Sequence, residues 1–105
     1  SLCDRLRFFD AYIQTSIDKG LKQIVYFGSG YDTKAYPYAK DGGLADTSFF
    51  ELDLPDVIAS KRVIADRLGP FTSPVHLLGG DLTKGSVYEH LSSSPFKADE
   101  RTAFL

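Results

Sequence analysis

The stretch Gln23–Thr33, QIVYFGSGYDT, decides how the rest of the chain reads. Four apolar or aromatic residues, Ile24, Val25, Tyr26 and Phe27, run straight into Gly28-Ser29-Gly30, the pattern of a buried strand ending in a glycine turn. Two glycines spaced by one residue let a backbone approach a ligand with no Cβ in the way, at the carboxyl edge of a parallel sheet where ligands collect. A plain strand-to-helix turn accounts for the same residues equally well, because a Gly-x-Gly pair alone is a weak fingerprint.

On the amino-terminal side, Leu6, Phe9, Ile13 and Ile17 recur at three- and four-residue steps and predict a helix over Asp4–Asp18, stopped by Gly20. Arg5 and Arg7 lie near its start, either on a solvated face or presenting a cation above the first strand end. On the other side, Asp32 and Thr33 suit the cap of a short helix over Lys34–Tyr36, ended by Pro37. A polar loop over 39–47 leads to a second strand, SFFELD, over Ser48–Asp53. Pro55 then opens a helix that reaches Leu68, with Val57, Ile58, Ile64, Ala65 and Leu68 at helical spacing, and Gly69-Pro70 ends it. Val75–Leu78 reads as a third strand breaking at Gly79-Gly80-Asp81, Lys84–Leu91 as a weak helix, and Thr102–Leu105 as the start of a fourth strand.

Alternation of strands and helices implies an α/β, Rossmann-like sheet of mostly parallel strands with flanking helices, expected to be truncated after the fourth strand. Right-handed crossovers bring all strand ends to one edge. Three ends carry residues with chemistry. Asp53, at the tip of the second strand, suits a ribose, because a carboxylate accepts hydrogen bonds from two adjacent hydroxyls. Glu51 shares its face but lies deeper, and capping of the following helix is a compatible use for Asp53. Asp81 suits the exocyclic amine of an adenine, with the Leu82 backbone amide and side chain beside it; a turn-stabilising aspartate is the other reading. The dinucleotide pattern wants a small residue where Thr33 stands, which counts against NAD. A cation from the first helix suits a ligand carrying a carboxylate.

The remaining composition narrows the class. With 105 residues, 43% hydrophobic and 25% charged, residues 1–105 read as one soluble domain. No apolar run approaches the roughly 20 residues that span a bilayer, and the expected setting is cytoplasmic. Cys3 is the single cysteine and no Cys/His cluster has metal-ligand spacing, so neither disulfide nor metal is expected. A net charge of -2 with interspersed signs argues against generic nucleic-acid binding.

QIVYFGSGYDTKAY, FFELDLPDVIASK and GGDL, in that order, resemble the leucine carboxyl methyltransferase family of S-adenosylmethionine-dependent methyltransferases. The resemblance covers nearly the whole chain, and a Gly-x-Gly-x-Asp-Thr string followed by Glu-x-Asp-x-Pro is more specific than a glycine pair. It implies a class I methyltransferase sheet. It also implies S-adenosylmethionine as cofactor, with Arg5 on the methionine carboxylate, Gly28, Ser29 and Gly30 in the glycine loop, Asp53 on the ribose, and Asp81 and Leu82 at the adenine. The implied reaction is methyl transfer to an oxygen nucleophile, with no general base assigned among these residues. The family's protein acceptor is the C-terminal leucine carboxylate of the protein phosphatase 2A catalytic subunit. Relatives acting on a modified tRNA base or on small molecules share the cofactor motifs, and a non-catalytic cofactor- or partner-binding fragment is the alternative outside enzymes. Pro37 stands where the family usually has an arginine. A complete sheet of this class has seven strands, so the chain resembles the cofactor half.

Overall fold

The computed structural model describes residues 20–28, 36, 40 and 46–104. The helix expected over Asp4–Asp18 lies outside the described residues, as does nearly all of the short helix and loop expected between Lys34 and Thr47. Four strands are described: β1 (Gln23–Phe27), β2 (Ser48–Asp53), β3 (Val75–Gly79) and β4 (Thr102–Phe104), with helices α1 (Pro55–Leu68) and α2 (Val87–Leu91) between them. They form one sheet in the order β3-β2-β1-β4, with every neighbouring pair parallel.

β1 is flanked on both sides, and its Gln23, Ile24 and Val25 are all buried. An unbroken apolar run suits that place, because a parallel strand covered on both faces has no polar side to show. The register pairs Val25 with Phe50 and Leu52 with Leu78, so these residues share a face. They form a core with Leu91 of α2, against which Leu82, Val87 and Phe96 pack. Phe50 stacks on His76 at 4.9 Å and meets Phe96 edge-on at 5.6 Å. The opposite face carries Ile24, Phe49 and Glu51, and α1 covers it with Ile58 and Lys61.

Pro55 occupies the first turn of α1 as expected, and Gly69 closes the helix by donating its amide to Ala65 O at 2.8 Å. Three details differ from the sequence reading. Leu68 is 40% exposed although its spacing assigned it to the apolar stripe. Strand β3 continues through Gly79, whose backbone stays in register with Asp53. Helix α2 begins at Val87 rather than at Lys84: Gly85 sits at φ 80°, a left-handed conformation that no helix continues through, and the Ser86 hydroxyl then caps the helix by accepting from Glu89 N at 3.1 Å.

One backbone group on the outer side of β3 is met by a side chain. Gly80 N donates to Asp53 O and Phe49 N donates to Pro74 O, so the even-numbered residues of this segment direct their backbone groups toward β2. Leu77 therefore points its carbonyl outward, where Arg62 Nη2 donates to it at 2.9 Å.

Phe50 joins both strands and loop to this core. Phe50→Ala should cost about 3–5 kcal/mol, as for other fully buried phenylalanines, read as a lowered urea midpoint with an unchanged slope.

Candidate functional site

The parallel ladder places the sequence-selected residues side by side. Gly28 N donates to Leu52 O at 3.0 Å and Gly80 N to Asp53 O at 2.9 Å, so the ends of β1, β2 and β3 form one rim on which Gly28, Asp53 and Gly80 are neighbours. Asp81 and Leu82 follow directly. Arg5, Ser29 and Gly30 lie outside the described residues. Gly28 adopts φ 66°, and open space surrounds the place where a Cβ would stand. Its backbone conformation, rather than crowding, is what asks for glycine there.

Asp53 is half-buried at the rim, and its Oδ1 accepts from Leu54 N at 2.8 Å. The residue capping α1 is Leu54, which makes no side-chain cap. Asp53 thus steadies the strand-to-helix junction from one residue earlier, and this amide uses one of about four acceptor positions on a carboxylate. Glu51, the other acidic residue on this face, is excluded from the rim. It is 1% exposed, with Oε1 bonded to Lys61 Nζ at 3.0 Å and Oε2 to the Tyr36 hydroxyl at 2.8 Å.

Asp81 stands in a tight turn. Its Oδ1 accepts from Thr83 Oγ1 and from Thr83 N at 3.0 Å, and Lys84 N donates to its carbonyl at 3.0 Å. The Thr83 hydroxyl, then the Thr83 amide, and then the charge of His90 hold the Asp81 carboxyl below the usual aspartate range. Leu82 has a double position: its backbone follows the rim while its side chain packs on the Val25–Phe50–Leu52–Leu91 core.

A cavity of about 250 Å³ lies beside this rim, bordered by Leu52, Leu78, Gly80, Leu82, His90 and Arg62 among others. The sequence reading gave His90 no part in the site, yet its ring lies over Gly80. A Cβ built on Gly80 would come within 2.7 Å of His90 Nδ1. His90 Nε2 lies 2.7 Å from Lys84 O, and because a carbonyl only accepts, Nε2 is the donor of this bond. The signal that could have found this packing is the second glycine of Gly79-Gly80, a mark of close approach. His76 plays a different part: its half-buried ring stacks on Phe50, and burial lowers its pKa. Among the described residues no group of three His, Cys, Asp or Glu side chains is placed to hold a metal.

The sequence profile of the leucine carboxyl methyltransferases matches residues 1–105. A protein of Parafrankia sp. (strain EAN1pec) is 33% identical over 106 residues, covering 99% of this chain and 33% of the relative. One of Frankia alni (strain DSM 45986 / CECT 9034 / ACN14a) is 35% identical over 107 residues, 96% of this chain and 35% of the relative. One of Mycolicibacterium paratuberculosis (strain ATCC BAA-968 / K-10) is 38% identical over 69 residues, 66% of this chain and 21% of the relative. All three are provisionally named S-adenosyl-L-methionine-dependent methyltransferases. The chain spans about a third of the length of the first two.

The turn at Asp81 has a measurable signature. Thr83→Val removes the hydroxyl donor, so the Asp81 carboxyl should titrate closer to the usual aspartate value, read by carbon-detected NMR. A depressed folded-state pKa contributes stability above the unfolded value and loses it as pH falls through the folded value. The variant should therefore lose less of its stability than the wild type across that acid window.

Proposed function

Because this chain belongs to the leucine carboxyl methyltransferase family, we propose that it forms the S-adenosylmethionine-binding part of a methyltransferase acting on an ionised oxygen, a carboxylate in particular. The observation that carries this reading is the meeting of Gly28, Asp53 and the Asp81-Leu82 pair on one rim, at the ends of three adjacent parallel strands. That is where open α/β sheets take nucleotides.

The residues present fit a sulfonium nucleoside. Gly28, with its left-handed backbone and open surroundings, gives the ligand access to the main chain. Asp53 accepts from the ribose hydroxyls, held at the rim by the Leu54 amide. Asp81, whose Oδ1 is held by Thr83, would take the exocyclic amine of the adenine, with the Leu82 backbone beside it. Arg5 takes the methionine carboxylate, and Ser29 and Gly30 complete the glycine loop. When bound, S-adenosylmethionine supplies a methyl group on a positively charged sulfur, open to direct displacement. A carboxylate acceptor is already ionised at neutral pH, so no base is required of this chain. Its contribution is alignment and the exclusion of water.

The acceptor anticipated by the family resemblance is the C-terminal leucine carboxylate of the protein phosphatase 2A catalytic subunit. The similar proteins named above are bacterial, and their names specify no acceptor. The acceptor is accordingly a carboxylate on a protein or small molecule, met in a cytoplasmic setting. Among the described residues no helix is long and apolar enough to cross a membrane.

Titration calorimetry on the full-length protein tests the cofactor. S-adenosylhomocysteine should bind in preference to NAD, and the opposite order would refute the reading. Asp53→Ala should weaken that binding by about 1–3 kcal/mol, the loss of a hydrogen bond to a charged group. An unchanged affinity in a folded variant removes Asp53 from the site.

A further inference from the structure

The turn that carries Asp81 has a shape of its own but needs something to aim it. Asp81 Oδ1 accepts from Thr83 N at 3.0 Å and from Thr83 Oγ1 at 2.6 Å, and Lys84 N donates to Asp81 O at 3.0 Å. Residues 81–84 are therefore a block braced from within. A glycine stands on either side of it, Gly80 before and Gly85, at φ 80°, after. Glycine leaves the backbone free to swivel, so the orientation of the block must come from contacts outside it. On the upstream side Gly80 N donates to Asp53 O at 2.9 Å, and the Leu82 side chain packs on the core. On the downstream side Lys84 O accepts from His90 Nε2 at 2.7 Å.

His90 stands on a firm base. The next residue along α2, Leu91, is 0% exposed in the core, which fixes the helix to the sheet. The His90 ring also reaches the upstream end of the turn, where a Cβ built on Gly80 would come within 2.7 Å of Nδ1 and 3.0 Å of Cε1. One imidazole thus touches both ends of the block, the carbonyl of Lys84 by a hydrogen bond and the backbone of Gly80 by contact. The Glu89 carboxylate closes over Gly85 in the same way, so both flanking glycines are covered from α2. We propose that His90 is a positioning residue for the adenine side of the site: its ring latches the Asp81 turn onto α2 and fixes the direction in which the Asp81 carboxylate meets the base. The latch deepens the cofactor-binding reading above and rests on it for what the carboxylate meets, though not for its own existence.

His90→Leu removes the donor and keeps a side chain of similar bulk. Hydrogen exchange on the full-length protein without ligand should show peptides over 80–85 exchanging about fivefold faster than wild type, the effect of one lost hydrogen bond, with β1 and β2 unchanged. Aim is read from a pair of nucleosides. The wild type should prefer S-adenosylhomocysteine to S-inosylhomocysteine, in which an oxo group replaces the exocyclic amine, by about tenfold or more, as for a bond to a charged group. In His90→Leu that preference should shrink about threefold, because the carboxylate no longer meets the amine squarely. His90→Gln, whose amide carries an N–H to the place of Nε2, should restore both the preference and the exchange rate. Wild-type exchange in His90→Leu would overturn the proposal, as would equal losses of affinity for the two nucleosides, the mark of a general loosening of the fold. A glutamine variant no better than the leucine one would overturn it too. If the wild type binds neither nucleoside, the cofactor reading falls, and the ligand-free exchange by itself upholds or overturns the latch. Should His90→Leu fold poorly, Gly80→Ala displaces the ring instead and should quicken exchange over 80–85 by a similar factor; unchanged exchange there would also overturn the proposal.

Discussion

Every candidate residue at the rim owes its place to the hydrogen-bond ladder between β1, β2 and β3. A parallel ladder fixes both the direction and the stagger of its strands, so a residue at the end of one strand has a determined neighbour at the end of the next. Here Phe27 is level with Leu52, and Asp53 with Gly79. A slip of one residue in β2 would turn Asp53 to the α2 face and bring Glu51 out of its buried bond with Lys61. The core makes such a slip prohibitive, because it would also exchange Phe50 and Leu52 for Phe49 and Glu51 beneath α2.

The two faces of β2 are stabilised by different chemistry. Toward α2 the contacts are apolar and aromatic, with Phe50 between His76 and Phe96. Toward α1 the strand commits an ion pair and a tyrosine hydroxyl. Apolar packing tolerates some repacking, whereas a buried ion pair is strict in distance and direction and costs about 3–5 kcal/mol when one partner is lost. The stricter face is the one that presents Asp53.

Much of this architecture was legible in the sequence because its signals are local. The run Ile24–Phe27 ending at Gly28, the proline opening α1, and the Gly69-Pro70 stop each depend on a few adjacent residues, and all lie where expected. The acidic tips Asp53 and Asp81 could be placed from strand direction alone. What escaped were partnerships across the fold. Lys61 sits on a helix whose apolar spacing says nothing of a buried lysine, and its partner is ten positions away on another element. His90 lies in a weak helical pattern, and only the crossing of α2 over the end of β3 brings its ring to Gly80. Leu68 fits the periodicity of the apolar stripe and is nevertheless 40% exposed.

Arg62 gives the molecule a directionality. The outward carbonyl of Leu77 is an open invitation to a further strand on any unprotected sheet border, and here a guanidinium already sits on it. A stray peptide or a second copy trying to add itself alongside β3 must first displace a cation from its acceptor. One outward acceptor of that border is thereby occupied, by an exposed side chain of the same helix whose buried Ile58 and Lys61 face the sheet.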